Sequence, residues 1–364
     1  MRLSSLFAVL AGVSSLTLSV RATPLAHLKR DDLDSGTPPV YTTSGNYSLI
    51  PSAVYHTSDL TLCKGYSASD VQTTDSGLTA TLTLIGEPCH AFGARDYDKL
   101  KLMVNMDTED RLHVLIEDAD KEAKAIPEEY LPYPKESSIS NDQSQLAFSY
   151  SNDPSFSFRV TRKDSGEVLF DTSSAGPIVF EDQYVRIGTS LPADANIYGL
   201  GEHNDPLRLP TTNYSRTLWN RDAGGLPEYT PLYGHHPIYH DHRLTTSHGP
   251  QTHGVFLRSA HGMKIDLNDE KLVFNTLGGV IDLYIFAGPT PKSITQQYHK
   301  VVGMPANVPY WSLGLHNCRY GYRDAFELAA VVQNYSDAKI PLEVRDGYLL
   351  SLLLLTFQLT CPSH

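Results

Sequence analysis

Lys99-Leu-Lys-Leu-Met-Val-Asn-Met-Asp-Thr-Glu-Asp-Arg-Leu-His-Val-Leu-Ile116 is the stretch whose period settles the class of this fold. Leu100, Leu102, Val104 and Met106 alternate with Lys99, Lys101 and Asn105, and Leu112, Val114 and Ile116 resume the alternation after the acidic turn Asp107–Asp110. A side-chain period of two puts the apolar groups on one face of an extended chain. The segment therefore predicts two half-buried antiparallel strands joined as a hairpin. The same pattern runs upstream through Leu78, Ala80, Leu82 and Leu84. Downstream it returns as Phe156, Phe158 and Val160, the turn Asp164-Ser-Gly166, then Val168 and Phe170. Val255–Leu257, Met263–Leu267 and Val280–Phe286 continue it, so a mainly β protein is expected, a β-sandwich over residues 61–305 with little helix before residue 290.

At Pro309 the pattern changes. Tyr310–Leu315 reads as a short strand, and Phe326, Leu328, Ala329, Val332 and Tyr335 form a helical stripe that Asp324 would cap. Ile340-Pro-Leu-Glu-Val344 reads as the next strand. Strand, loop, helix and strand open a parallel β/α unit, so a second domain of different class is expected over residues 309–344.

The 364 residues allow two or three domains at roughly 100 to 200 residues each. Hydrophobic residues at 41% and charged residues at 19% are the proportions of a globular chain. The 29 Lys and Arg against 41 Asp and Glu leave a formal charge of −12, which repels nucleic acid and anionic lipid, so a neutral partner such as a sugar fits better.

The N-terminus has a charged start at Arg2, an apolar middle from Leu6 to Val20 and a small-residue exit at Ala22, the pattern of a secretory signal over residues 1–22. The apolar run falls short of the roughly 20 residues of a spanning helix, so no membrane anchor is expected. Residues 23–60 read as propeptide and linker, with the dibasic Lys29-Arg30 as a processing site, and the protein is expected to be extracellular. An oxidising compartment favours cysteine pairing. Cys63 and Cys89, 26 residues apart, are the expected disulfide; Cys318 and Cys361 remain, their pairing left open because Cys361 lies in the tail set apart below. No Cys-x-x-Cys spacing argues for metal. Secretion would also make the sequons at Asn46, Asn213 and Asn334 glycosylation sites where exposed.

No nucleophile elbow, phosphate-cradling loop, dinucleotide fingerprint or zinc-protease helix is present, and no metal or cofactor is expected. His235, His236, His240 and His242 lie close enough in sequence to be metal ligands, but a loop whose histidines bond to backbone is the simpler reading. Sugar hydrolysis needs two facing carboxyl groups, with aromatic faces and hydrogen-bond donors to hold the ring. Two regions carry supporting parts of such a site. Leu218-Trp-Asn-Arg-Asp222-Ala-Gly-Gly225 is a long loop with a Trp, an Arg and an Asp, and Arg319-Tyr320-Gly321-Tyr322 follows the expected first barrel strand. Composition alone leaves Asp222 open as an Asx-turn residue, and Tyr320 and Tyr322 open as interface packing.

Five separated stretches in order decide between these readings: Asn196-Ile-Tyr-Gly-Leu-Gly-Glu-His203, His253-Gly-Val-Phe-Leu-Arg258, Asn275-Thr-Leu-Gly-Gly279, Phe286-Ala-Gly-Pro289 and Leu313-Gly-Leu-His-Asn-Cys-Arg-Tyr-Gly-Tyr322. Together they resemble glycoside hydrolase family 31, in the style of secreted fungal α-glucosidases, over residues 60 to 344. The resemblance implies a galactose-mutarotase-like β-sandwich followed by a (β/α)₈ catalytic barrel. It implies that Asp222 reaches into the subsite of the terminal sugar and that Tyr320 lines the same subsite, with an α-glucoside or malto-oligosaccharide as substrate. Glu202 matches a motif glutamate with no expected role beyond loop structure.

The family's two catalytic aspartates, a nucleophile and an acid/base in later barrel segments, have no counterpart here. A barrel takes about 250 residues, whereas Pro309 to His364 is 56. The segment 345–364 reads as a tail unrelated to the family, as from a retained intron or frame change; its apolar run Tyr348–Leu359 is 12 residues, too short to span a membrane. Two functions follow as expectations. One is an α-glucosidase-type chain of the retaining class that is truncated and inactive by itself. The other is a non-catalytic secreted β-sandwich that binds carbohydrate. Aligning transcript to genome at the Val344 codon tests the reading of the tail: a contiguous spliced message encoding it in a second isolate would sink that reading.

Overall fold

Strands β1 (Tyr66–Thr74), β2 (Gly77–Leu84), β3 (Lys99–Thr108) and β4 (Arg111–Asp118) form an antiparallel meander in which Leu82, Leu100, Leu102, Val104, Leu112, Val114 and Ile116 point into one core. The computed structural model describes residues 60–135, 138–223, 225–245, 249–268, 270–319 and 322–346. The leader, Asn46, Tyr320, Cys361 and nearly all of the tail lie outside the described residues.

Strands β5 (Leu146–Ser151), β6 (Ser157–Arg162) and β7 (Val168–Asp171) make a small antiparallel sheet, the expected hairpin with one strand added. They are followed by β8 (Val179–Phe180), β9 (Val185–Ser190), β10 (Ile197–Gly199), β11 (Tyr214–Leu218), β12 (Ile238–Thr245), β13 (Gly249–Leu257), β14 (Met263–Asn268), β15 (Lys271–Thr276) and β16 (Ile281–Phe286). An eight-stranded sheet runs β1-β2-β3-β4-β16-β13-β12-β10 and a five-stranded sheet β11-β14-β15-β9-β8, antiparallel at every pairing. Apolar side chains of both sheets meet in one cluster, with Val114 and Leu283 from the first and Ile187, Ile265 and Phe274 from the second. This is a β-sandwich, as the alternation predicts.

Strand β16 departs from simple alternation because all six of its residues are buried. Ile281, Leu283 and Ile285 enter the sandwich core. Tyr284 and Phe286 join Phe256 of β13 under helix α1 (Pro291–Val302), which contributes Ile294 and Val301. Thr290 caps that helix through its side chain and Pro291 occupies the first turn, where a missing N–H costs nothing. The helix lies so close to β13 that a Cβ on Gly254 would sit 2.5 Å from Ile294 Cγ2.

The remaining residue of β16, Asp282, is fully buried beside His113, whose Nε2 lies 2.7 Å from Oδ1. Arg258 Nη1 donates to Oδ2 at 2.9 Å and the Tyr133 hydroxyl donates to the same oxygen at 3.0 Å. The Arg258 guanidinium stacks on the Tyr133 ring at 4.2 Å and also donates to the Leu131 carbonyl. One carboxylate therefore ties β4, β13 and the segment after β4 to the outer face of β16.

The chain beyond α1 corrects two expectations. Tyr310–Leu313 is a 3₁₀ turn, closed by Ser312 N–H to the Pro309 carbonyl (3.0 Å), and the strand, β17, lies downstream at His316–Cys318. The strand expected at Ile340–Val344 begins only at its last residue, as β18 (Val344–Asp346), since Pro341 has no N–H to donate to a ladder. Strands β17 and β18 pair in parallel, and helix α2 (Ala325–Asp337) connects them, with Asp324 Oδ1 accepting from Glu327 N–H at 2.8 Å. The expected stripe is only partly covered: Leu328 is buried, whereas Phe326 is 85% exposed. No helix among the described residues is long and apolar enough to cross a membrane.

Removing Asp282 strands the buried Arg258 without its partner. Asp282→Ala is expected to destabilise the sandwich by about 3 to 5 kcal/mol in urea unfolding followed by circular dichroism; a loss below about 1 kcal/mol would refute this assignment of the cluster.

Candidate functional site

Two long connections cross between the sheets. Residues 200–213 lead from β10 in the large sheet to β11 in the small one, and residues 219–237 lead back from β11 to β12. The second carries Asp222. Their backbones bond to each other: Leu232 N–H donates to the Glu202 carbonyl (3.1 Å), Glu202 N–H to Gly234 (3.0 Å) and His236 N–H to Gly201 (2.9 Å). The motif glutamate without an expected role is thus the backbone rung between the crossovers, and its carboxylate lies 3.6 Å from His236 Nε2.

Asp222 is exposed and held from within its own loop. The Tyr233 hydroxyl donates to Asp222 Oδ1 at 2.8 Å and lies 3.2 Å from the Ala223 carbonyl. Arg221 N–H donates to the Leu232 carbonyl (3.1 Å) and Asn220 Nδ2 to the Tyr233 carbonyl (2.8 Å), so 220–223 and 232–233 run as a short paired stalk. Trp219 at its root is half exposed and lies on Gly262, where a Cβ would fall 2.1 Å from the indole.

A second anchor holds the far side. Asp205 receives Arg216 in a forked pair, Nε to Oδ2 at 2.8 Å and Nη2 to Oδ1 at 2.7 Å, and Tyr214 donates to Oδ2 at 3.0 Å. Burial pushes the Asp205 carboxyl up, but the bonds from Arg216 and Tyr214 outweigh it and leave the group below its ordinary range. Arg216 also lies over the Tyr214 and Tyr229 rings at 4.4 and 4.8 Å, and Asn204 Nδ2 holds the Leu226 carbonyl at 3.1 Å. Sequence reading singled out Asp222 and missed Tyr233, Asp205 and Arg216, because their partners are 11 residues away and only the folded crossovers bring them together.

Among the described residues, the bonds of the clustered histidines near this loop to backbone run through their own backbones, as at His236, and their side chains do otherwise. His242 Nδ1 pairs with the Thr252 hydroxyl at 2.8 Å, and His235 Nε2 is buried without a partner among the described residues. Burial, with the neighbouring His236 and His261, pushes His235 down to about 4. Among the described residues, the potential ligand atoms that converge as a trio belong to Cys89, Asp96 and Glu181, and that sulfur is spent in the Cys63–Cys89 disulfide.

Tyr320, expected beside Asp222, lies outside the described residues. Of its neighbours, Arg319 stacks on Tyr322 at 4.1 Å and pairs with Glu327 at 3.0 Å. Asn213 and Asn334 are both exposed, the first before β11 and the second on α2. Cys318 is an exposed free thiol.

Comparison with known proteins finds matches over both the sandwich and the β/α start. The family model for the glycosyl hydrolase 31 N-terminal galactose mutarotase-like domain matches residues 102–266, and that for the glycosyl hydrolases family 31 TIM-barrel domain matches residues 305–346. The second match and β18 both end at Asp346, two residues into the segment set apart above as tail. A protein of Aspergillus fumigatus named "Probable alpha/beta-glucosidase" is 53% identical over 286 residues, which are 77% of this chain and 31% of that protein. An "Alpha-glucosidase" of Aspergillus oryzae is 40% identical over 309 residues, 78% of this chain and 31% of that one. The chain spans about a third of the length of these curated relatives. Among solved structures, a glucosidase II alpha subunit superposes with a TM-score of 0.62 at 17% identity, over 78% of this chain and 39% of that one. A Flavobacterium johnsoniae GH31 dextranase complexed with isomaltotriose superposes with a TM-score of 0.53 at 19% identity, over 78% and 33%. At these identities the structures report the fold.

Arg216→Ala removes the fork from Asp205, whose side chain is 5% exposed. We expect a loss of about 2 to 3 kcal/mol in urea unfolding and faster cleavage within residues 219–237 by a limiting amount of protease. Unchanged cleavage would show that this pair does not hold the crossover.

Proposed function

We propose, since this chain belongs to glycoside hydrolase family 31, that its role is to hold the terminal sugar of an α-glucoside in an enzyme of the retaining α-glucosidase class. The observation that carries this is the Asp222 loop: an exposed carboxylate, oriented by Tyr233, on a crossover braced at both sides. A carboxylate held by one hydroxyl keeps acceptor capacity for sugar hydroxyl groups, and the neighbouring Trp219 and Tyr233 offer apolar ring faces.

Retaining hydrolysis proceeds by attack of one carboxylate on the anomeric carbon while a second carboxyl group protonates the leaving oxygen, after which water releases the sugar. The Asp222 loop supports that chemistry by positioning the ring, and it supplies neither group. In the described residues the barrel consists of β17, α2 and β18, whereas a closed barrel needs eight such units. Half a site binds weakly, so Asp222 with its loop should hold glucose or maltose with at best millimolar affinity.

The same reading takes the protein to be extracellular. What supports it is the leader pattern of residues 1–22 and the cystine Cys63–Cys89, a bond that persists in oxidising compartments. Exposed Asn213 and Asn334 are then available for glycosylation.

Calorimetric titration of the secreted 364-residue chain tests the sugar site. Maltose should bind with a millimolar Kd that Asp222→Asn abolishes, and no glucose should be released from maltose or a chromogenic α-glucoside. Micromolar binding that survives Asp222→Asn would favour a separate carbohydrate site on the sandwich, and glucose release above a mock-secretion control would overturn the assignment of positioning without chemistry. Treatment with an N-glycan-releasing amidase should increase the mobility of the secreted chain, and Asn213→Gln should remove part of that shift; no shift would count against use of these sequons.

A further inference from the structure

The two sheets are joined at the edge away from the crossovers by a buried carboxyl pair. Asp96, just before β3 of the large sheet, forms an isolated antiparallel bridge with Glu181, just after β8 of the small one. Asp96 is 7% exposed and Glu181 1%. Bonds on either side close the junction: Tyr97 N–H to the Phe180 carbonyl at 3.2 Å and Asp182 N–H to the Arg95 carbonyl at 3.0 Å. The buried Tyr66 hydroxyl lies within 3.1 Å of both the Tyr97 and Phe180 carbonyls.

The carboxyl groups also hold the loop that ends in the cystine. Asp96 Oδ2 accepts from His90 N–H at 2.8 Å and Glu181 Oε1 from Ala91 N–H at 2.7 Å. Oxygens of both groups and Cys89 Sγ lie within 4.8 Å of one another. Glu181 Oε2 is buried with no partner among the described residues, and no Lys, Arg or His there stands within ion-pair distance of Glu181.

The facing groups are mostly anionic or neutral. Asp98 and Asp182 add negative charge; burial pushes the Tyr66 and Tyr184 hydroxyls up, with Asp96, Glu181 and Asp98 adding for Tyr66 and, against the lowering by Arg186, Glu181 and Asp266 for Tyr184. His90, 3.5 Å from Asp96 Oδ2, is mostly exposed, the Arg95 guanidinium is turned to Glu122 at 2.6 Å, and Lys64 and Glu87 line the small cavity beside Cys89 and Asp96. Two carboxylates this close and this dry cannot both be ionised cheaply.

We propose that the Asp96–Glu181 pair folds holding one proton, and that this proton is the closing element of a clamp between the two sheets, tight in acid and loosened as the pH rises. Burial, with Asp96 and Asp182, pushes Glu181 up to about 8 against the single backbone bond from Ala91. The unfolded chain releases that proton at the ordinary glutamate value. A group raised on folding contributes fully below its unfolded pKa, and its contribution is lost as the pH rises through the folded value. The pair should therefore lower the folding constant by about tenfold per pH unit between about pH 5 and pH 8.

Urea unfolding of the secreted chain from pH 4.5 to 8.5, beside Glu181→Gln, reads this directly, because the amide copies the neutral acid and does not titrate. The ratio of wild-type to variant folding constants should be level near pH 4.5 and fall about tenfold per unit above pH 5. Parallel curves would overturn the proposal. Should Glu181→Gln fail to fold, Asp96→Asn keeps Glu181 buried but removes its charged neighbour, so the fall in its folding constant should end at a lower pH than in the wild-type chain. A fall that ends at the same pH in both, or a midpoint at pH 8 that millimolar calcium raises and chelator lowers, would overturn it, the latter by showing a cation where we place a proton.

Discussion

Strand β16 must be covered on both faces, and most of the architecture is arranged around meeting that demand. Its inner residues complete the sandwich core, and its outer aromatic pair needs α1 as a lid. The polar group between them, Asp282, is admitted to the interior only because Arg258, Tyr133 and His113 converge on it. A buried carboxylate without such partners would cost several kcal/mol. Satisfying it draws the segment after β4 onto the sheet and fixes the end of β13. Since α1 then leads directly to the first β/α elements, the covering of β16 also sets where the second domain starts.

The candidate site lies on the connections of the sandwich rather than on its strands. Sheets packed face to face leave their ends to the crossovers, and here two of them, running in opposite senses, bond to each other through Glu202, Gly234 and His236. A loop braced in this way can present an exposed carboxylate without depending on the barrel for its shape. Asp222 was a candidate from sequence because a loop composition and a motif match pointed to it. The residues that hold it were not, since a hydrogen bond from Tyr233 or a fork from Arg216 leaves no periodic trace. The resemblance marked Glu202 but gave it no task, and its task proves to be carried by its backbone, which any residue type possesses.

At the opposite edge, two carboxyl groups are placed where solvation is poor. Asp96 and Glu181 sit beside a cystine, with the backbone N–H groups of His90 and Ala91 donating to them and the mostly exposed His90 ring 3.5 Å from Asp96. That arrangement joins the same two sheets that the crossovers join at the other end. The two junctions differ in chemistry: one is a forked Arg–Asp pair that is strongest when ionised, the other a carboxyl pair that is strongest when partly protonated.

Period-two alternation in residues 78–116 and 263–267 determined the β class by itself, because burial of one sheet face must repeat every second residue. The capping Asp324 and the helical stripe after it determined α2 for the same kind of local reason. Strand limits near Pro309 and Pro341 were misplaced, since a β-like composition does not reveal where a parallel partner will be. Only the tertiary structure decided which face of β16 meets α1, how the two crossovers brace Asp222, and that Asp96 and Glu181, 85 residues apart, share one dry junction. Each of these depends on contacts between distant segments, and the free energy of a buried charge is set by whatever the fold brings within a few ångströms of it.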